Sequence, residues 1–141
     1  MSDQHNLKRF LTEQSNSFHG YESAIKEIKK GKKFICWIWW TFPQLKGLGK
    51  SAKSISFSIR SRDEAICYLN HPILGNRLIE MSEMLLDKEE SMFQIFGRDE
   101  KKVRSCLTLF EAIQSDITVF GLVLDQCFEG RRCDRTLNSI V

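Results

Sequence analysis

The chain has 141 residues, with 42% apolar residues, two prolines and eight glycines, and 21 Lys+Arg against 18 Asp+Glu for a net charge of +3. These values exclude collagen-like, Pro-rich and linker-dominated chains and fit one soluble globular domain over residues 1–141, large enough to hold a core without staples. The pI near 8.6 falls short of the value above about 9 expected of a nucleic-acid-binding domain, so nucleic acid is not an expected partner.

Taken along the chain, Leu7, Phe10, Leu11 and Phe18 form a first helical stripe, with Ser2 or Asp3 as its cap. Tyr21, Ala24, Ile25 and Ile28 form a second, which stops at Gly31. Phe34–Phe42 is aromatic and β-prone, and Ser54–Ile59 alternates apolar with polar residues; both lie among helices. Ser61-Arg62-Asp63-Glu64 reads as a capping box that opens a helix through Leu69. Asn70-His71-Pro72 ends it, because the residue before a proline avoids the helical region. Pro72 then suits the first turn of a helix carrying Ile73, Leu74, Leu78, Met81, Leu85 and Leu86. A short helix covers Ser91–Phe96 and stops at Gly97. Asp99 caps the next, with Val103, Leu107, Phe110 and Ile113 on one face. Asp116 caps another, with Phe120, Val123, Leu124 and Cys127 inward and Gly130 at its end. Asp134 starts a last turn through Leu137. The pattern predicts an all-α fold, a compact single-domain bundle of seven or eight short helices.

Five cysteines stand at 36, 67, 106, 127 and 133, without a Cys-x-x-Cys pair and with no histidine near Cys127 and Cys133. They offer zinc no ligand set, and no metal or cofactor is expected. The N-terminus is polar and lacks a signal-peptide core, and the longest apolar run, Phe34–Trp40, is too short to span a bilayer. These features predict a cytoplasmic, reduced protein without membrane partners, whose cysteines act as small buried hydrophobes. The charge is segmented: Lys26–Lys33 holds five lysines and one glutamate, and Glu80–Glu100 holds seven acids and two bases. Solvated surface is the simplest account of both runs.

Residues 37–44 read Trp-Ile-Trp-Trp-Thr-Phe-Pro-Gln and hold every tryptophan of the chain. Each such ring buries roughly 150–250 Å² and carries an N–H that needs a partner. Three neighbouring rings cannot all point inward, so a core plug competes with a pocket wall built from Trp37, Trp39, Trp40, Phe42 and Gln44. Gly47-Leu48-Gly49-Lys50-Ser51 lacks the spacing of a nucleotide-binding P-loop and reads as a turn, though its amides suit an anion. His71 reads as an interhelix hydrogen-bonding group or a polar group on a pocket rim. On the helix after Asp99, Arg104 and Thr108 are four apart and Ser105 and Thr108 three apart, as are Lys101 and Ser105 at four. Such a face of guanidinium and hydroxyls suits phosphate or carboxylate; ordinary helix packing with snorkelling bases is the competing account.

The order of these motifs is specific. Asn6-Leu7-Lys8-Arg9-Phe10 with Gln14 comes first, then Gly31-Lys32-Lys33, Trp37-x-Trp39-Trp40-x-Phe42-Pro43-Gln44 and Gly47-Leu48-Gly49-x-Ser51. Glu64-Ala65, Tyr68-Leu69, His71-Pro72-x-Leu74-Gly75-x-Arg77-Leu78 and Ile95-Phe96-Gly97 continue it. Lys102-x-Arg104-Ser105-x-x-Thr108-Leu109-Phe110 and Leu124-Asp125 close it. The chain resembles, over nearly its whole length, the bacterial domain-of-unknown-function family eighteen-ten, often mislabelled calpastatin. The resemblance implies a compact, mainly helical domain and no established activity. Its signatures fall on Trp37, Trp39, Phe42, Gln44, His71, Arg77, Lys102, Arg104, Ser105 and Thr108. Cys36, Phe57 and Cys106 stand where the family usually has histidine, tyrosine and serine. A binding role survives the loss of those polar groups better than proton-transfer chemistry does.

Three functions follow as expectations. The first is a binding protein, sensor or sequestering, for a small anionic ligand with a flat ring, nucleotide-like, with tryptophan stacking the ring and Arg104, Ser105 and Thr108 holding phosphate. The second is an enzyme on a nucleotide or ADP-ribose-type substrate with His71 or Asp125 as acid or base. The third is a protein-interaction domain with exposed tryptophans as hot spots for a protein partner.

Overall fold

A computed structural model describes residues 3–140. The fold is all-α: among the described residues ten α-helices and one 3-10 turn form, and no strand does. In order these are α1 (Lys8–Gln14), α2 (Tyr21–Lys30), α3 (Ile38–Thr41), α4 (Ala52–Ser56), α5 (Arg62–Asn70), α6 (Leu74–Leu86), α7 (Met92–Phe96), the 3-10 turn (Gly97–Asp99), α8 (Glu100–Ile113), α9 (Val119–Cys127) and α10 (Asp134–Ser139). The count exceeds seven or eight because both β-prone segments close a single helical turn, α3 and α4. Their extended ends make only an isolated parallel bridge, Leu45 to Ile59.

Local chemistry sets most of the helix ends. The Asp3 carboxylate accepts the N–H groups of Leu7 and Lys8, both at 2.8 Å, and so caps the first turn. Ser2, the other candidate cap, lies outside the described residues. Helix α1 ends at Gln14, so Phe18 leaves the stripe and stands exposed. Gly31 terminates α2 at φ +86, a conformation costly for any residue with a Cβ. Ser91 and Gln94 form a reciprocal capping box on α7. At Ser61 only half of the expected box forms. Its hydroxyl accepts the Glu64 N–H at 3.1 Å, but the Glu64 carboxylate turns to Arg9 at 2.6 Å in an almost fully buried ion pair. Asp99 and Asp116 do not cap α8 and α9 with their side chains; Asp99 is drawn off by Lys33 and Lys102.

Helix α8 lies at the centre and packs on α5, α7, α9 and α10. Ser105 through Phe110 are buried without interruption, so this helix is covered nearly all round rather than on one stripe. Helix α6 packs on α2, α5 and α9. One contiguous core joins all of these to Trp37, Trp40 and Phe42. The N-terminal turns of α8 emerge from that core, and the candidate site forms there.

Candidate functional site

The tryptophan segment is held by buried polar groups. Trp37 is fully buried, and its Nε1–H donates to Glu27 Oε1 at 2.7 Å. The same oxygen accepts the N–H groups of Phe34 and Ile35, at 2.9 and 3.0 Å. Trp40 is also buried and donates to the His19 carbonyl at 2.9 Å. Gln14 donates to the Trp40 carbonyl at 2.6 Å and accepts from Arg77 at 3.0 Å. With those two rings and Phe42 in the core, Trp39 alone turns outward, half-buried.

Trp39 forms one wall of a cleft of about 520 Å³. The opposite wall comes from the 3-10 turn, with Arg98, and from the start of α8, with Lys101, Lys102, Arg104 and Ser105. The loop before α4 closes one end with Gln44, Leu48, Gly49, Lys50 and Ser51, joined by Ser54 of α4. Cys133 and Arg135 close the other end. The Arg135 guanidinium donates to the Gly47 carbonyl at 3.3 Å and so ties the two ends together. Among the described lining residues six carry a positive charge and none is a carboxylate. Such a concave, one-sign surface focuses field and favours anions.

Within the cleft, Lys102 Nζ lies 5.0 Å from the centre of the Trp39 ring, a cation–π contact. The lysine is oriented by Asp99, whose carboxylate meets Lys102 at 2.8 Å and Lys33 at 3.0 Å. Partial burial would raise the Asp99 carboxyl, but its bonds to Lys102 and Lys33 pull it below the ordinary aspartate range. Arg104 is half-buried, and its Nε is buried and has no hydrogen-bond partner among the described residues. A buried donor without an acceptor is costly.

Of the candidate site residues, Trp39, Gln44, Lys102, Arg104 and Ser105 line this one cleft. The remaining candidates stand elsewhere, each for a local reason. Trp37, Trp40 and Phe42 are core. His71 is not a pocket-rim group; its Nδ1 accepts the N–H groups of Ile73 and Leu74 at the start of α6. Arg77 braces Gln14 and lies 4.7 Å over the Tyr21 ring. Thr108 is buried; its hydroxyl donates to the Arg104 carbonyl at 2.7 Å and accepts the Cys133 N–H at 3.0 Å. Asp125 is held by Arg132 at 2.5 Å.

Sequence reasoning passes over Ser54, Arg98, Cys133 and Arg135 as site residues, and reads Lys50 and Ser51 only as part of a turn whose amides suit an anion. Arg98, Lys101 and Arg104 recur at intervals of three, a row of cations legible in the sequence. Cys133 and Arg135 reach the cleft only through the return of the chain onto α8, which leaves no local signal.

An all-α domain with an arginine- and lysine-lined cleft against one outward tryptophan is thus the class this chain defines. The chain belongs to the DUF1810 family, proteins of unknown function, whose model matches residues 4–140. It is similar to a conserved hypothetical protein, Rv1873 from Mycobacterium tuberculosis, known from a crystal structure: 34% identity, 98% of each chain covered, TM-score 0.93. No curated protein matches the chain.

Proposed function

We propose that the protein binds a small anionic ligand bearing a flat ring, of the nucleotide class, and acts as a sensor or sequestering protein in the reducing cytoplasm. One observation carries the reading: six cations and one outward indole share a single concave surface with no carboxylate among its described lining residues. A phosphate chain would lie along Arg98, Lys101 and Arg104, and its ring on Trp39. Arg104 contributes most, because charge-assisted hydrogen bonds are worth roughly 1.5–3 kcal/mol each. Against the enzyme reading, His71 and Asp125 are engaged in their own bonds away from the cleft lining. Against the interaction-domain reading, only Trp39 among the tryptophans is outward.

Calorimetry with ADP, ADP-ribose and inorganic pyrophosphate tests this. The nucleotides should bind more tightly than pyrophosphate, and Trp39→Ala should remove that difference. Arg104→Ala should weaken all three about tenfold or more, on the order of 1.4 kcal/mol. Failure of every nucleotide to bind the wild type, or a Trp39→Ala chain that still prefers rings, overturns the proposal.

A further inference from the structure

The five cysteines occupy different surroundings. Cys36 and Cys67 are exposed, Cys106 is buried, and Cys127 and Cys133 are half-buried. Cys36 has one lysine beside it, Lys53 Nζ at 3.7 Å, on open surface. Cys127 meets the Leu85 carbonyl. Cys133 alone opens onto the cationic cleft. Its backbone is fixed by the N–H bond to Thr108. Arg104, Ser105 and Arg135 line the cleft together with it. Ser105 and Thr136 are buried and share one hydrogen bond at 2.8 Å.

We propose that Cys133 is a thiol–disulfide exchange site for a low-molecular-weight disulfide bearing carboxylates, which the cleft's cations dock against it. The proposal goes beyond nucleotide binding and does not rest on it. The ionisation of the thiol agrees with this geometry. Burial pushes Cys133 up, but the Thr136 and Ser105 groups and Arg104 together bring it below its ordinary range. Cys106, buried, and Cys127, half-buried, lack such donors and are pushed the other way. Thiolates next to arginine are the nucleophilic form.

In the exchange the Cys133 thiolate attacks one sulfur of the bound disulfide. That disulfide's S–S bond breaks as the Cys133–S bond forms. The second half leaves as a thiolate and takes a proton from water. No other oxidant is consumed, and excess free thiol reverses the step. The adduct fills the cleft, so the modification closes the anion site.

Competition among the chain's own thiols is the test. The full chain is incubated at pH 7 and low salt with a limiting amount of oxidised glutathione, or in parallel with cystamine, a cationic disulfide. Adducts are then mapped by peptide mass spectrometry. Cys133 should be modified first, ahead of the more exposed Cys36 and Cys67. Oxidised glutathione should outpace cystamine there by about tenfold, the low end of electrostatic rate enhancement. Arg98→Gln/Lys101→Gln, on the exposed rim, should reduce that preference, and Cys133→Ser should abolish the fast phase. Adducts forming first on Cys36 or Cys67, or equal rates for the two disulfides at Cys133, overturn the proposal. Nucleotide binding by the Cys133→Ser chain is measured separately, so either reading can fail alone.

Discussion

Glu27 governs the tryptophan segment, although its surroundings in the sequence conceal it. It lies in the lysine run, which reads as solvated surface, yet it is 8% exposed and accepts three N–H groups on one oxygen. Those bonds fix residues 34–37 and so decide that Trp37 goes inward and Trp39 outward. Glu27→Ala leaves the Trp37 indole and two backbone amides without their acceptor. It should cost about 3 kcal/mol, on a penalty of roughly 1–3 kcal/mol for each unsatisfied buried group, partly relieved by water. Glu27→Gln keeps an acceptor and should cost less. Urea unfolding at pH 7 measures both, and equal losses would show that charge rather than acceptance matters. Composition announces that some tryptophan must be partnered; it does not say by whom. The partner is ten residues away in sequence and on another helix, so no local pattern marks it.

At the level of elements, the ends with short-range causes were legible. Gly31, the Ser91 capping box and Gly97 all act within a few residues, and each stops or starts a helix where expected. The misread ends are those where a distant side chain competes. Glu64 leaves its box for Arg9, fifty-five residues away in the chain, and Asp99 leaves its cap for two lysines. Gly75 shows the tightest junction. It lies in the first turn of α6, and a Cβ there would stand 1.9 Å from the Leu69 carbonyl oxygen of α5. Because that neighbour is backbone, the two helices would have to separate. Overpacking of this kind costs about 1–3 kcal/mol, more than the gain of up to about 1 kcal/mol from replacing a helical glycine. Gly75→Ala should therefore lower the melting temperature. A rise would mean that α5 and α6 yield without cost.

For the whole molecule the question is whether anion binding reflects net charge or the place where charge is concentrated. A net charge of +3 is modest, and at about 0.1 M salt exposed charges more than about 10 Å apart barely sense one another. Within the cleft the cations share one low-dielectric concavity and act together. The sequence displays the Lys26–Lys33 run more conspicuously than the cleft, since the run is contiguous while the cleft is assembled from three distant segments. Two double variants separate the cases. Lys29→Gln/Lys30→Gln removes exposed charges from the end of α2, and Arg98→Gln/Lys101→Gln removes them from the cleft; both lower the net charge from +3 to +1. Ligand-induced stabilisation scales as RT ln(1 + [L]/Kd), so thermal shift with ADP at fixed concentration reports the affinity of each. The α2 variant should keep the wild-type shift. The cleft variant should lose most of it, and the remainder should fade as salt rises toward 1 M, where screening acts over about 3 Å. Equal losses in the two variants would assign binding to overall charge and dismiss the cleft as its seat.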